Sequence, residues 1–381
     1  MIGGANTFGH FARKLEAERI EAASVVTTIL TDPERYLDAP LPPAWRTIGM
    51  VELLCDAART ELVRWPRRSL HLAQLAAAIA DALPESYPRL LRAQAAADGW
   101  KAISNAHRFA SRHDAALTAL DIAGARISDE PALAYDRAIL ALARAITLRE
   151  MDRMDEALRV LEGARETFSD YEDVQQVAQC DLVTGMIHHR LGRLADARQA
   201  YMRVIPSARA AGDLHTVAAA YNNLGRAAAD AGDMNASVDA LQQARAIFRE
   251  LDMPTETSRA TWSIGAAQLA ASRFESAIAI LGEVRREFQK LGMPEEAGLA
   301  GVDLIEALLA TNARAAAREL AGEIVDELRR AALNERALHA LSYLRETADV
   351  ATPSAARHVG TYLRRLKDEP KLLFIEPDPE R

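Results

Sequence analysis

Apolar residues in this chain fall at three- and four-residue steps, the spacing of one face of an α-helix, in short runs separated by glycine, serine or proline. Phe8, Phe11, Leu15, Ala22, Val25 and Ile29 trace the first such face, and Asn6 or Thr7 is placed to cap a helix reaching about Leu30. Pro40, Pro42 and Pro43 then interrupt helicity, because proline has no amide proton to donate and also restricts the residue before it. Helix pairs are expected at 46–63 with 67–82, 86–110 with 113–127, 131–150 with 153–168, and 175–191 with 194–211. They continue at 216–231 with 234–251, 255–271 with 274–291, and 295–311 with 313–331, and close on a looser pair at 335–348 and 353–367.

These pairs keep time. Gly185, Gly225 and Gly265 recur at a period of 40, each inside an alanine- and leucine-rich stretch. Seven residues after each comes Gly192, Gly232 or Ser272, and five further on Ala197, Ser237 or Ala277. Bulky Tyr201, Leu241 and Leu281 follow, then Val204, Ala244 and Val284. One period upstream the comb meets Asp152, Ala157, Leu161 and Ala164, and one period downstream Asn312, Ala317, Ala321 and Ile324. Gly212, Asp252 and Gly292 form a second comb of the same period, with Pro254 and Pro294 two residues on. They suit a left-handed helix end followed by a helix start. A repeat of this length marks a solenoid, in which each unit packs only on its neighbours. Glycine within a helix costs about 0.5–1 kcal/mol relative to alanine. Its recurrence at one phase predicts a helix crossing too close for a side chain, with the small residue twelve positions later on the facing helix.

The residues that carry this beat resemble the tetratricopeptide repeat. Leu224-Gly225, Gly232, Ser237, Leu241 and Ala244 match one repeat, and Gly185, Gly192, Ala197 and Tyr201 another. The resemblance is specific over about 140–325 and extends loosely over 46–367. A period of 40 in place of the usual, shorter one is similar to the extended repeats of kinesin light chains, Pins/LGN adaptors and the sensors of MalT-type regulators. The resemblance implies an all-α, right-handed superhelical solenoid of stacked antiparallel helix pairs without β-sheet. It divides the chain into an N-terminal amphipathic helix (1–32), a proline-rich linker (33–45), the repeats (46–331), a degenerate capping pair (332–367) and an extended tail (368–381). The N-terminal helix is expected to cap the first repeat, with self-pairing in a dimer or a free arm beyond Pro40–Pro43 as the alternatives. The apolar run Leu372–Ile375 is expected to pack along the last helix pair or to dock in a neighbour's groove.

Composition narrows the function. Lys and Arg number 46 against 54 Asp and Glu, a formal charge of −8, so no nucleic acid or membrane partner is expected for the body of the protein. Aromatics make up only 5% of residues, which suits many small Ala/Leu/Val interfaces. Cys55 and Cys180 are expected reduced and buried, and with no secretory or membrane-spanning pattern read in the sequence a soluble cytoplasmic protein is expected. Among catalytic patterns there is no Walker loop, HExxH or GxSxG, and adjacent His188 and His189 diverge on a helix and cannot share a metal. No enzyme activity, metal or cofactor is expected.

In tetratricopeptide repeats the first helix of each pair lines a concave groove that takes a peptide or partner helix. In peptide-binding relatives an asparagine just before the Leu-Gly pair faces that groove, which puts Asn223, with Asn222 beside it, in that role. A carboxamide offers donor and acceptor together, and Arg226 is suited to a ligand carboxylate. The same phase places Gln179, Met186, His189 and Arg190 upstream, Arg259, Trp262 and Ser263 downstream, and Asp303 and Glu306 at an acidic far end. The basic residues from Arg357 to Lys367 read as cap charges. The expected function is a non-catalytic scaffold holding a protein or peptide. The alternative is a regulator whose array senses a small peptide or metabolite.

Overall fold

A computed structural model describes residues 3–330, 335–347, 350–369 and 372–377, with the side chains of 3–12, 335, 367 and 368 outside the description. Every regular element among the described residues is helical. In chain order the α-helices are α1 (Gly3–Ile29), α2 (Ile48–Glu61), α3 (Pro66–Asp81), α4 (Arg89–Phe109), α5 (His113–Ile127) and α6 (Ala134–Glu150). They continue with α7 (Met154–Asp170), α8 (Val174–Arg190), α9 (Leu194–Ala210), α10 (Leu214–Asp230), α11 (Met234–Glu250) and α12 (Pro254–Ala270). The last are α13 (Phe274–Lys290), α14 (Pro294–Ala310), α15 (Arg314–Arg330), α16 (Glu335–Thr347) and α17 (Pro353–Asp368). Asn6 and Thr7 lie inside α1 and do not cap it, and the side chains of Phe8 and Phe11 lie outside the described residues.

The regularity is finer than the sequence combs suggest. From α6 to α15 all helices share one length and every connection is three residues long, so a helix with its connection occupies half of the sequence period. The middle residue of every connection is left-handed: Asp152, Glu172, Gly192, Gly212, Gly232, Asp252, Ser272, Gly292 and Asn312. The third residue donates its amide to the carbonyl five residues back at 2.8–2.9 Å, as in Asp213 to Ala208 and Asp233 to Ala228. That bond closes the helix end in a Schellman-type turn. Asp213 and Asp233 then cap the next helix, each accepting an amide at 3.0 Å.

A left-handed conformation costs a non-glycine residue about 1–2 kcal/mol. Glu172, at φ 55° and exposed, bears that cost without a side-chain capping role of its own. Glu172→Gly should therefore raise stability by about 0.5–1 kcal/mol once glycine's larger folding entropy is subtracted. A higher urea midpoint at unchanged slope checks it.

The chain divides into two compact units, residues 1–187 and 188–381. In the first, α1 lies on α2 so closely that a Cβ at Gly49 would sit 2.6 Å from the backbone nitrogen of Arg19. Ala22, Val26 and Ile29 join a core with Ile48, Val51 and Leu54. Buried Glu18 accepts the Tyr87 hydroxyl at 2.6 Å and the Gly49 amide at 3.3 Å. These contacts seat α1 against α2. Gly99 is a second close crossing off the main comb, since its Cβ would meet Ala77 Cα at 2.8 Å. Both cysteines are free; burial above all, then neighbouring Asp98 or Asp181, pushes the Cys55 and Cys180 thiols up to about 12.

In the second unit the glycine comb marks close helix crossings, and at Gly225 the small residue twelve positions on, Ser237, lies on the facing helix as expected. A Cβ at Gly225 would stand 2.6 Å from Leu241 Cγ and 3.0 Å from the Ser237 carbonyl oxygen; one at Gly265 would stand 2.7 Å from Leu281 Cδ2. The bulky residue sixteen positions on fills the notch. At Gly225 the small residue twelve positions on contributes its carbonyl oxygen, and at Gly265 the nearest atoms belong to Leu281 and Ile280. Leu241 and Leu281 are accordingly almost wholly buried. At the far end the tail lies extended along the last pair. The Leu372 carbonyl accepts from Arg336 Nη1 and the Tyr362 hydroxyl, both at 3.1 Å. The Phe374 ring packs among His339, Tyr343, His358 and Tyr362.

Candidate functional site

The second unit holds an open cleft of about 700 Å³. Its walls are the first helices of successive pairs and the closing helix: Arg226 and Asp230 from α10, Trp262, Ser263 and Leu269 from α12, Asp303 and Glu306 from α14, and Arg357 and Arg364 from α17. Positions 226 and 230, 262 and 266, and 303 and 306 are three or four apart on their helices, so each helix turns one stripe inward.

The floor of the cleft is a polar network. Trp262 donates its indole N–H to Asp303 Oδ2 at 2.7 Å, and its ring meets Phe288 edge-on at 5.9 Å. Arg364 donates to the other oxygen of Asp303. Arg357 donates through Nε to Glu306 Oε1 at 2.9 Å. Both carboxylates are buried, with 6% and 5% of the residue exposed, whereas the Arg357 and Arg364 side chains are 68% and 45% exposed. Burial raises the carboxyl pKa of Glu306, and the Arg357 guanidinium opposes that shift. The acidic far end expected from α14 is therefore covered, and the groups presented to solvent there are guanidinium donors. The cap reading of Arg357 and Arg364 is corrected accordingly: these side chains reach back across α14 because uncompensated buried carboxylates are costly. The Lys367 side chain lies outside the described residues.

Arg226 differs from its neighbours. It is exposed in the cleft and has no hydrogen-bond or ion-pair partner among the described residues. Asp230, one turn on, is taken by His189 Nε2 at 2.6 Å. The Asn222 and Asn223 carboxamides, half-buried on the same helix, also lack partners among the described residues, as does the Ser263 hydroxyl. Arg259 stands outside the cleft lining and pairs with Glu296 at 3.3 Å. Arg190 is exposed at the end of α8. Gln179 and Met186 belong to the first unit, where Met186 Sδ receives Arg149 Nη1 at 3.2 Å. Of the nine residues selected by helical phase, Arg226 and Trp262 line the cleft, and the Trp262 N–H is already engaged. Arg357 and Arg364 went unselected, although their spacing of seven on one helical face was a visible signal.

Residues 216–289 match the family model described as tetratricopeptide repeat. That stretch of the chain is a tetratricopeptide-repeat segment. Solved structures with this fold include a STAND signal-transduction ATPase with a tetratricopeptide repeat sensor from Pyrococcus horikoshii, at TM-score 0.63 and 13% identity. That match covers 93% of this chain and 53% of the other, so this chain spans about half of that protein. A Rap protein complexed with competence and sporulation factor matches at TM-score 0.53 and 13% identity, over 94% of this chain and 98% of that one. BtubC (BKLC) from P. vanneervenii matches at 0.54 and 20% identity, over 60% and 92%. No curated protein matches the chain by sequence. Identities this low establish the fold that these tetratricopeptide repeats adopt. Among the described residues no helix is long and apolar enough to cross a membrane.

Proposed function

We propose that this tetratricopeptide-repeat chain is a non-catalytic binding protein whose second-unit cleft holds a peptide segment of a partner, with a ligand carboxylate on Arg226. The observation that carries the reading is the unpaired Arg226 guanidinium, one turn from two unpaired carboxamides, in a cleft whose acids are already engaged. A guanidinium there recognises a carboxylate through two parallel hydrogen bonds, and a carboxamide pairs with an extended backbone. The Rap protein solved in complex with competence and sporulation factor supports ligand binding by an array of similar fold.

Capture from native lysate by wild type and by Asn223→Ala/Arg226→Ala tests it. The double variant should lose its specific partners by at least about tenfold while keeping its helical content. An identical partner set from both proteins refutes the assignment of the cleft. A sensing regulator is the second reading, supported by the tetratricopeptide sensor of the STAND protein. It requires in addition that ligand binding change the radius of gyration in solution.

A further inference from the structure

The first unit carries a surface unlike the rest of the molecule. The connection from α2 to α3 reads Leu62-Val63-Arg64-Trp65-Pro66-Arg67, and within it Val63 is 78% exposed and Trp65 54% exposed. This display is rigid. The Trp65 amide donates to the Glu61 carbonyl at 2.8 Å, its carbonyl accepts from Ser69 at 2.9 Å, and Pro66 fixes the first residue of α3. The connection from α4 to α5 stands at the same edge, because Arg59 and Leu62 of the α2 end face Ala102 and Asn105 of α4 across one cavity. It presents Phe109, 40% exposed, beneath the Arg108 guanidinium at 4.6 Å. Arg64 stands 5.9 Å from the Trp65 ring centre.

The charge at this edge is also distinct. Arg64, Arg67 and Arg112 are exposed and have no ion-pair partner among the described residues. Of the nearby acids, Glu61 is turned to Arg68 at 3.8 Å, Asp56 is held by Arg59 at 2.7 Å, and Asp114 alone is exposed. The net charge of −8 belongs to the whole chain and not to this edge. The exposed Val63, Trp65 and Phe109 side chains would find no apolar partner on a phosphate backbone, which would engage the arginines alone. They suit a flat interface with an apolar layer beneath anionic groups, where tryptophan and arginine are stable at headgroup depth.

We propose that this edge adsorbs reversibly to an anionic bilayer surface, with Val63, Trp65 and Phe109 entering the headgroup layer and Arg64, Arg67 and Arg112 meeting its charge. The test is co-sedimentation of the full chain with vesicles of phosphatidylcholine alone or with about a third phosphatidylserine. Binding is expected only to the anionic vesicles, and high salt should release it. Arg64→Gln/Arg67→Gln should weaken it about fivefold per arginine removed, and Val63→Ser/Trp65→Ser at least about tenfold. Trp65→Phe keeps an aromatic anchor and should still bind, but should lose the fluorescence quenching that brominated lipid produces in wild type. Circular dichroism confirms that these exposed substitutions leave the fold intact. Failure to bind anionic vesicles overturns the proposal, as does equal binding by the Val63/Trp65 variant. A duplex DNA bound as tightly as the vesicles would assign the edge to nucleic acid and overturn it equally.

Discussion

Gly225→Ala is expected to destabilise the protein by about 2–3 kcal/mol, although alanine is the better helix former. The added methyl would stand 2.6 Å from Leu241 Cγ, a branched carbon in the middle of a buried side chain, and 3.0 Å from the Ser237 carbonyl oxygen. Neither moves cheaply: Leu241 is 1% exposed, and Ser237 belongs to the backbone of α11. The intrinsic gain of about 1 kcal/mol from replacing glycine is therefore outweighed by overpacking. Gly163→Ala is the matched control. It lies mid-helix in α7 with nothing within 4 Å of the added carbon, so it should gain up to about 1 kcal/mol. Opposite shifts of the urea midpoint would establish that the comb marks helix crossings. Equal shifts of the same sign would remove that explanation of the beat.

Asp303→Ala is expected to cost about 2–3 kcal/mol and to loosen α17 from α14. The carboxylate is 6% exposed and accepts from Trp262 and Arg364 through different oxygens. Its removal strands a half-buried indole N–H, which is the larger part of the loss. Arg364, with 45% of its side chain exposed, recovers water and contributes less. Asp303→Asn keeps an acceptor for Trp262 and should cost about 1 kcal/mol or less. Hydrogen exchange along α17 should quicken in the alanine variant far more than in the asparagine variant. Unchanged exchange in both would mean that the apolar contacts of α17 hold it without the carboxylate.

Helices and their ends were legible in the sequence because two independent signals agreed there: apolar spacing along each helix and a left-handed or small residue after it. Most expected boundaries from α2 to α17 fall within about two residues of those found. Two features were less legible, each for a physical reason. Sequence shows where a position must be small, but the side chain that fills the notch depends on the crossing geometry. That Leu241 and Leu281 fill it was for that reason not legible.

The cleft suffered from a second limit. Contacts within the array recur about one period apart in sequence, as for Arg108–Glu150 at 42, His189–Asp230 at 41 and Arg259–Glu296 at 37. Such contacts can be anticipated by carrying a phase from repeat to repeat. Arg357–Glu306 and Arg364–Asp303, at separations of 51 and 61, break that rule, because α17 seats against α14 out of phase. The partners of Arg357 and Arg364 could not be read from the period alone. Arg226 could be found, because its place depends on helical phase and not on what lies opposite.

The uniform three-residue connection between residues 150 and 314 bears on how this chain can change length. Excising one whole period between two equivalent left-handed positions, such as Gly192 and Gly232, would join like to like and leave inner and outer helices alternating. Excising half a period would leave every turn intact yet exchange the two kinds of helix downstream, turning polar stripes into the core. Gene variants of this architecture should therefore gain or lose matter in whole pairs, and half-steps should be purged as misfolded products.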